Sequence, residues 1–352
     1  MSDKRWSHEL PATRRPGMIS VITTVALGLA CVGLAACGSS GSGGGAKTHS
    51  KGSLTLAIPV SIASFANPYI AESLGLFKRY GVNVTILSNT GSNTLSYLQS
   101  NKADIAAFGA TLPLIAAQEG LDTKIIFDNT AGGAFPVLIG KASTTEATIK
   151  KQKNCRIAVL AQGSSVYGFG VVFNRQLGTS CDLVPLATAQ AQVAAVQGGS
   201  AIAAVVANTT AAAAASGGMH TVATATIPYY TSSVYFGVAS SLASKRSAVV
   251  AFMQAMLAAN SAIKSDSAAK LAALLAENSA FKGTSLAALT SQTSLLKAAI
   301  NLTNGMISSG RWSYSLKQFV TWSVPNYSPS DSIFSYTDRV DMSYLSQAEG
   351  AK

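Results

Sequence analysis

The chain has 352 residues, 26 Lys/Arg against 15 Asp/Glu, a formal net charge of +11, and 48% hydrophobic but only 7% aromatic residues. Its basic residues form no cluster with interleaved aromatics, which excludes nucleic acid as a partner; the charge suits anionic ligands or an acidic membrane face. Three histidines, no Gly-x-Ser-x-Gly element, no zinc-ligand spacing and no phosphate-binding loop weigh against catalysis.

The first 37 residues read as an export signal. Lys4, Arg5, Arg14 and Arg15 give a basic start, and Ile19 to Ala36 is an uncharged, mostly apolar run. It closes on Leu34-Ala35-Ala36-Cys37-Gly38. Small residues before the cut admit a peptidase, and the Cys37 thiol accepts a diacylglyceryl group; the motif resembles the bacterial lipobox. An uncleaved anchor is the alternative, since the run is nearly long enough to span a bilayer. Arg14-Arg15 hints at a twin-arginine signal that Pro16-Gly17 do not support, and Met18 is a second candidate start. Residues 1–36 are therefore expected to be a signal peptide. Residues 37–51 are expected to be a lipidated Cys37 with a flexible Gly/Ser tether. Cutting before Cys37 removes four Lys/Arg and two Asp/Glu and leaves +9.

Cys31 leaves with the signal, so Cys155 and Cys181 are the remaining pair. Outside the cytoplasm such a pair oxidises, and a disulfide is expected. Metal binding is the alternative, but no histidine lies near, and no metal or cofactor is expected.

The body alternates short strands and helices. Leu54–Ile58 reads as a buried strand. Asn67-Pro68 fits a helix start, with Asn67 as N-cap, Tyr69, Ile70, Leu74 and Phe77 facing inward, and Gly81 as the stop. Val82–Leu87 is the next strand, and Ser92 can cap a helix carrying Leu95 and Leu98. Asp104–Phe108 is a strand begun by a structural aspartate, and Thr111 can cap the helix that Pro113 opens. Lys124–Phe127 and Ala134–Ile139 are further strands. After the polar stretch 141–154, Arg156–Leu160 starts a second run, followed by a helix over Val166–Leu177. Ala201–Ala207 and Ser233–Val238 are extended, with an alanine-rich helix between them. Beyond these, Val249, Phe252, Met253, Met256 and Leu257 form one apolar helical face that reads as core. Strand–helix alternation implies α/β sheets covered on both faces.

Ala71-Glu-Ser-Leu-Gly-Leu-Phe-Lys-Arg-Tyr-Gly-Val-Asn-Val84 and Leu98-Gln-Ser-Asn-Lys-Ala-Asp-Ile-Ala106, in this order, carry a family likeness. They are similar to segments of substrate-binding proteins of the nitrate/sulfonate/taurine and thiamine-precursor group, with Asn101 where that group commonly has glycine. Over residues 54 to 260 the chain resembles this group. The resemblance implies a type II periplasmic-binding-protein fold: two α/β lobes joined by extended hinge segments, with extra C-terminal helices. Lobe 1 would comprise 52–140, lobe 2 141–232, and 233–352 would be a return hinge and helices completing lobe 1. The hinges would lie near Val137–Lys141 and Ser232–Val238.

Ligands of open α/β sheets sit beyond the carboxyl ends of the strands, where helix N-termini offer free N–H groups. Ser61, Phe65, Ser92, Gly109, Thr111, Gly163, Ser164, Ser165, Tyr167, Asn208, Thr209 and Tyr230 are the candidate ligand contacts. Gly109 and Gly163 also fit ordinary turns, and Phe65 and Tyr167 also fit core. The resemblance implies capture without chemistry: an extracytoplasmic lipoprotein, monomeric and membrane-bound only through its lipid. It would hand a small solute, such as a sulfonate or nitrate, to an ABC permease whose ATPase is a separate chain. Thiamine precursors, other heterocycles and aromatic acids stay open as ligands. A lipid-anchored sensor and an enzyme on the same fold are the alternatives.

Overall fold

The computed structural model describes residues 50–59, 65–89, 93–131, 136–160, 164–225, 230–300, 304–321 and 328–350. Cys37, the signal, Ser61, Ser92 and Gly163 lie outside the described residues. The chain opens with β1 (Gly52–Pro59), α1 (Asn67–Ser73), α2 (Leu76–Tyr80), β2 (Val82–Asn89), α3 (Thr94–Gln99), β3 (Ile105–Gly109), α4 (Leu112–Gln118) and β4 (Thr123–Ala131). It continues through β5 (Pro136–Lys141), α5 (Glu146–Lys151), β6 (Arg156–Val159), α6 (Ser165–Leu177), β7 (Asp182–Pro185), α7 (Ala189–Gln197), β8 (Ala203–Ala207), α8 (Asn208–Ala215) and β9 (Met219–Thr224). It returns as β10 (Thr231–Val238), then α9 (Ala239–Ser244), α10 (Arg246–Ser265), α11 (Ala268–Ala276), α12 (Leu286–Ile300), α13 (Ser309–Thr321), α14 (Tyr336–Arg339) and α15 (Ser343–Gly350).

These strands make two five-stranded sheets, ordered β2-β1-β3-β10-β4 and β7-β6-β8-β5-β9. In the first, β1 is parallel to β2 and β3, and β10 is antiparallel to β3 and β4. In the second, β6 is parallel to β7 and β8, and β5 is antiparallel to β8 and β9. Leu54, Leu56, Ala57 and Ile58 of β1 are all buried, as expected of a strand covered by helices on both faces.

The strand read at 134–139 is β5, which belongs to the second sheet, and the extended segment at 233–238 is β10, which lies inside the first. Val234, Tyr235 and Phe236 are fully buried there. The chain therefore crosses between the sheets after β4 and again after β9. The first helical run is also two helices: Gly75 at φ 65° closes α1 in the left-handed region, and Gly81 at φ 78° closes α2. Ala66 occupies the N-cap of α1, and Asn67 is its first residue, with its amide turned inward.

The methionine stripe is core. Val249, Phe252, Met253 and Met256 of α10 are buried, and Phe252 stacks on Phe77 at 5.9 Å. Among the described residues, α10 alone is long and apolar enough to cross a membrane, and most of it is buried inside the fold. Asp104 ties elements together: its carboxylate accepts from the Thr55 N–H at 2.9 Å and pairs with Lys245 at 2.7 Å. A Cβ at Gly237 would run into the Asp104 carbonyl, so β10 passes β3 at a distance that only glycine permits.

In the second sheet, Arg156 and Asp182 are register partners at the starts of β6 and β7. The residues just before them, Cys155 and Cys181, are therefore neighbours and form a disulfide, with Cα atoms 4.6 Å apart. Closing a loop of 26 residues stabilises the fold by about 3.5 kcal/mol through the unfolded chain's lost entropy.

Candidate ligand cleft

Strand direction places the site. β1, β2, β3 and β4 all end, and β10 begins, at one edge of the first sheet. β6, β7, β8 and β9 end, and β5 begins, at one edge of the second. Both crossings leave a carboxyl end in one sheet and enter the other at that same edge. The two carboxyl edges are therefore the ones that both connections join, and open α/β sheets take their ligands at such edges.

The sequence candidates that fall on described residues gather at these edges. Gly109 ends β3 opposite Ser233, and Ala110 N–H donates to the Ser232 carbonyl at 3.0 Å. A Cβ at Gly109 would meet nothing closer than 3.9 Å, so steric crowding does not account for that glycine. Thr111 holds the N-cap position of α4 and is buried. Ser164 caps α6, its Oγ accepting from the Tyr167 N–H at 3.1 Å, and Ser165 and Tyr167 in the first turn are half-buried. Asn208 opens α8 and is half-buried, with Thr209 next in the same helix.

Two aromatic candidates are more enclosed. Phe65 is 5% exposed and meets Tyr235 edge-on at 6.4 Å. Tyr230 is fully buried. Its hydroxyl donates to Ser232 Oγ at 2.9 Å, and its ring lies 6.1 Å from that of Phe169 in α6. Burial pushes its phenol well above the ordinary tyrosine range. Tyr230 thus joins the second crossing to the second sheet's helix layer.

The loops at the two edges carry no Asp, Glu, Lys, Arg or His: residues 60–66, 89–93, 109–112, 131–136, 160–165, 207–210 and 224–231 are all uncharged. One pair of ionisable side chains lies beneath the first edge. Asp128, three residues before the end of β4 and fully buried, meets Arg311 of α13 at 2.8 Å. Burial pushes the Asp128 carboxyl up to about 8, against the opposing pull of the Arg311 guanidinium. One turn along α13, Ser315 Oγ accepts from the Thr231 N–H at 2.8 Å, at the start of β10. α13 therefore holds β4 before the first crossing and β10 after the second, and it also packs on α6.

A buried amide cluster lies on the other side of β4. Asn67 Nδ2 donates to Asn129 Oδ1 at 2.7 Å and to Asn260 Oδ1 at 3.3 Å, while Tyr235 OH donates to Asn67 Oδ1 at 2.8 Å. It fixes the segment entering α1 to β4 just before the first crossing. Sequence reasoning missed both α13 and this cluster, because their partners meet only through the tertiary fold. The capping preference of asparagine pointed to Asn67 but to the wrong use of its amide.

A family model described as NMT1/THI5 like matches residues 62–268. A comparison with curated protein sequences finds no significant relative. Among solved structures, the ligand-binding component of an ABC-type import system from Staphylococcus aureus, with zinc bound, is similar at 15% identity and a TM-score of 0.68, over 84% of this chain and 98% of that one. The periplasmic nitrate-binding protein NrtA from Synechocystis PCC 6803 is similar at 14% identity and 0.66, over 85% and 88%. The periplasmic aliphatic sulphonate binding protein SsuA from Escherichia coli is similar at 17% and 0.60, over 76% and 85%. At these identities the likeness is one of fold, and it gives the type II periplasmic-binding-protein architecture that two opposed sheets and two crossings already describe. With well over half of its length matched by that family model, the chain belongs to the NMT1/THI5-like family.

Proposed function

We propose that this chain is an extracytoplasmic solute-binding lipoprotein of an ABC importer. It captures one small solute between two lobes and passes it to a permease whose ATPase is a separate chain. Lobe 1 is built on the first sheet and the C-terminal helices, lobe 2 on the second sheet, and the two connections between the sheets, after β4 and after β9, serve as hinges. The observation that carries this reading is the pair of sheets whose carboxyl edges are joined by two connections. Closure on a solute would be a hinge motion selected by the bound form.

The uncharged edge loops favour a solute held by backbone amides, hydroxyls and aromatic walls, with Ser164, Ser165, Tyr167 and Asn208 the contacts we favour among described residues. Sulfonates and nitrate lead because relatives of this fold are named for binding them; neutral heterocycles fit the same lining. Among the described residues no three His, Cys, Asp or Glu side chains converge, and zinc is not the solute we propose. The cleft performs no reaction, and the protein acts as a monomer.

Native mass spectrometry of the processed chain, starting at Cys37, tests the reading. A one-to-one adduct, co-purified or gained on adding sulfonates, nitrate or pyrimidines, is the expected result. A chain that stays unliganded against all of them overturns it. Radiolabelled palmitate should enter the wild-type protein and not Cys37→Ala; equal labelling would remove the lipid from the account.

A further inference from the structure

Charge in the second lobe is confined to one end. Between residues 136 and 225 there are six Lys/Arg and two Asp/Glu. Lys141 ends β5, Glu146, Lys150 and Lys151 lie on α5, and Lys153 follows it. Arg156 and Asp182 begin β6 and β7, and Arg175 is in the last turn of α6. All eight belong to the sheet edge opposite the cleft, and all eight are exposed. His220, exposed beside Gly140 at the start of β9, joins them. The pole carries +4 from these eight. The ion pair recorded among them, Lys150 with Glu146, is long at 3.9 Å and half-exposed at both ends, so it neutralises little.

Charges kept only for solubility have no reason to avoid the rest of the lobe. Yet the outer groove between α7 and α8 is lined by Gln190, Gln197, Thr210 and Ser216 and has none. The pole also lacks what a protein partner would grip. No aromatic residue occurs between 141 and 156, and among the described residues the large exposed apolar side chains, Leu286, Met306 and Ile333, lie elsewhere. Flexible, hydrated lysines without an apolar anchor fit a diffuse layer of anionic headgroups better than a shaped protein interface.

We propose that this pole of the second lobe is a docking surface for the anionic headgroups of the membrane. The inference rests on the extracytoplasmic, lipid-anchored reading above. Lys51 enters β1 at the edge of the first sheet opposite the cleft. The thirteen residues from Gly38 to Ser50 can span at most about 45 Å. A lipid attached through that segment keeps the body near the membrane, and the basic pole offers a second contact. Because the anchor makes the second contact intramolecular, a weak electrostatic attraction suffices. Both lobes then stay within reach of a permease.

The test uses the processed chain carrying Cys37→Ser, so that no acyl chain contributes, and sedimentation with vesicles. Binding is expected to vesicles containing about 30 mol% phosphatidylglycerol and not to pure phosphatidylcholine. It should fall at least about tenfold between roughly 50 and 500 mM salt. The variant Lys150→Glu/Lys151→Glu/Lys153→Glu should lose it by a similar factor at unchanged Tm, while Lys78→Glu/Lys102→Glu/Lys282→Glu on the first lobe keeps it. Equal loss in both variants would reduce the effect to net charge and overturn the localised surface. Retention of binding in the first variant, or binding to heparin without binding to anionic vesicles, would overturn the membrane as partner. None of these outcomes touches solute binding, which is read separately by native mass spectrometry.

Discussion

Removing the amide of Asn67 would strand several buried groups at once. Tyr235 would lose its acceptor, and Asn129 and Asn260 would lose a donor. Leaving buried polar atoms unsatisfied costs about 1–3 kcal/mol each, so Asn67→Ala should destabilise the protein by about 2–3 kcal/mol in urea unfolding. A loss under about 0.5 kcal/mol would mean that the cluster is replaced by water at no cost. Asp128 makes a different prediction. Its folded-state pKa, about 8, lies above the unfolded value, so the folded form holds a proton that the unfolded form releases. That contribution is complete below the unfolded carboxylate pKa and is lost as pH rises through about 8. Wild-type Tm should therefore fall between roughly pH 5 and 9, and Asp128→Asn should flatten the profile. An equally steep fall in Asp128→Asn would assign the slope to other groups.

At the scale of elements, α13 is the piece that sequence periodicity could not assign. Its helical character was legible in kind, but Arg311 and Ser315 gain meaning only from Asp128 and Thr231, distant along the chain. Ser315→Ala should leave the buried Thr231 N–H without its acceptor and loosen the second crossing. Hydrogen exchange at Thr231 should quicken by about tenfold or more; unchanged protection would show that α13 does not hold that crossing. Other elements were plain. Short continuous apolar runs gave β1, β2, β3, β4, β6, β8 and β10, since strands covered on both faces are apolar without interruption. β7 and β9 were missed because Asp182–Pro185 and Met219–Thr224 are edge strands with partly exposed, mixed sequences. β5 was found but given to the wrong sheet, because nothing in a strand's own sequence names its neighbour. That the candidate loops fall at the carboxyl ends of strands was legible from strand order, and the enclosure of Tyr230 and Phe65 was not, since it depends on Phe169 and Tyr235.

In the whole molecule the loops at the carboxyl edges are uncharged, the charged residues of the second sheet's region gather at its opposite edge, and the chain enters the first sheet at Gly52, at the edge opposite those loops. The central claim is solute capture between the two sheets. Ser164 gives a way to probe it, because its hydroxyl caps α6 at the cleft edge. A glycine at an N-cap costs only a few tenths of a kcal/mol, while a tryptophan adds bulk at the site. The most direct measurement is a thermal-shift screen of the processed chain against small anions, sulfonates, pyrimidines and aromatic acids, repeated for Ser164→Gly and Ser164→Trp. A ligand that binds only the folded state must raise Tm in a saturable way. The account predicts such a rise with one class of solute, kept in Ser164→Gly and lost in a folded Ser164→Trp; no rise with any class, or a rise unchanged in Ser164→Trp, would contradict it.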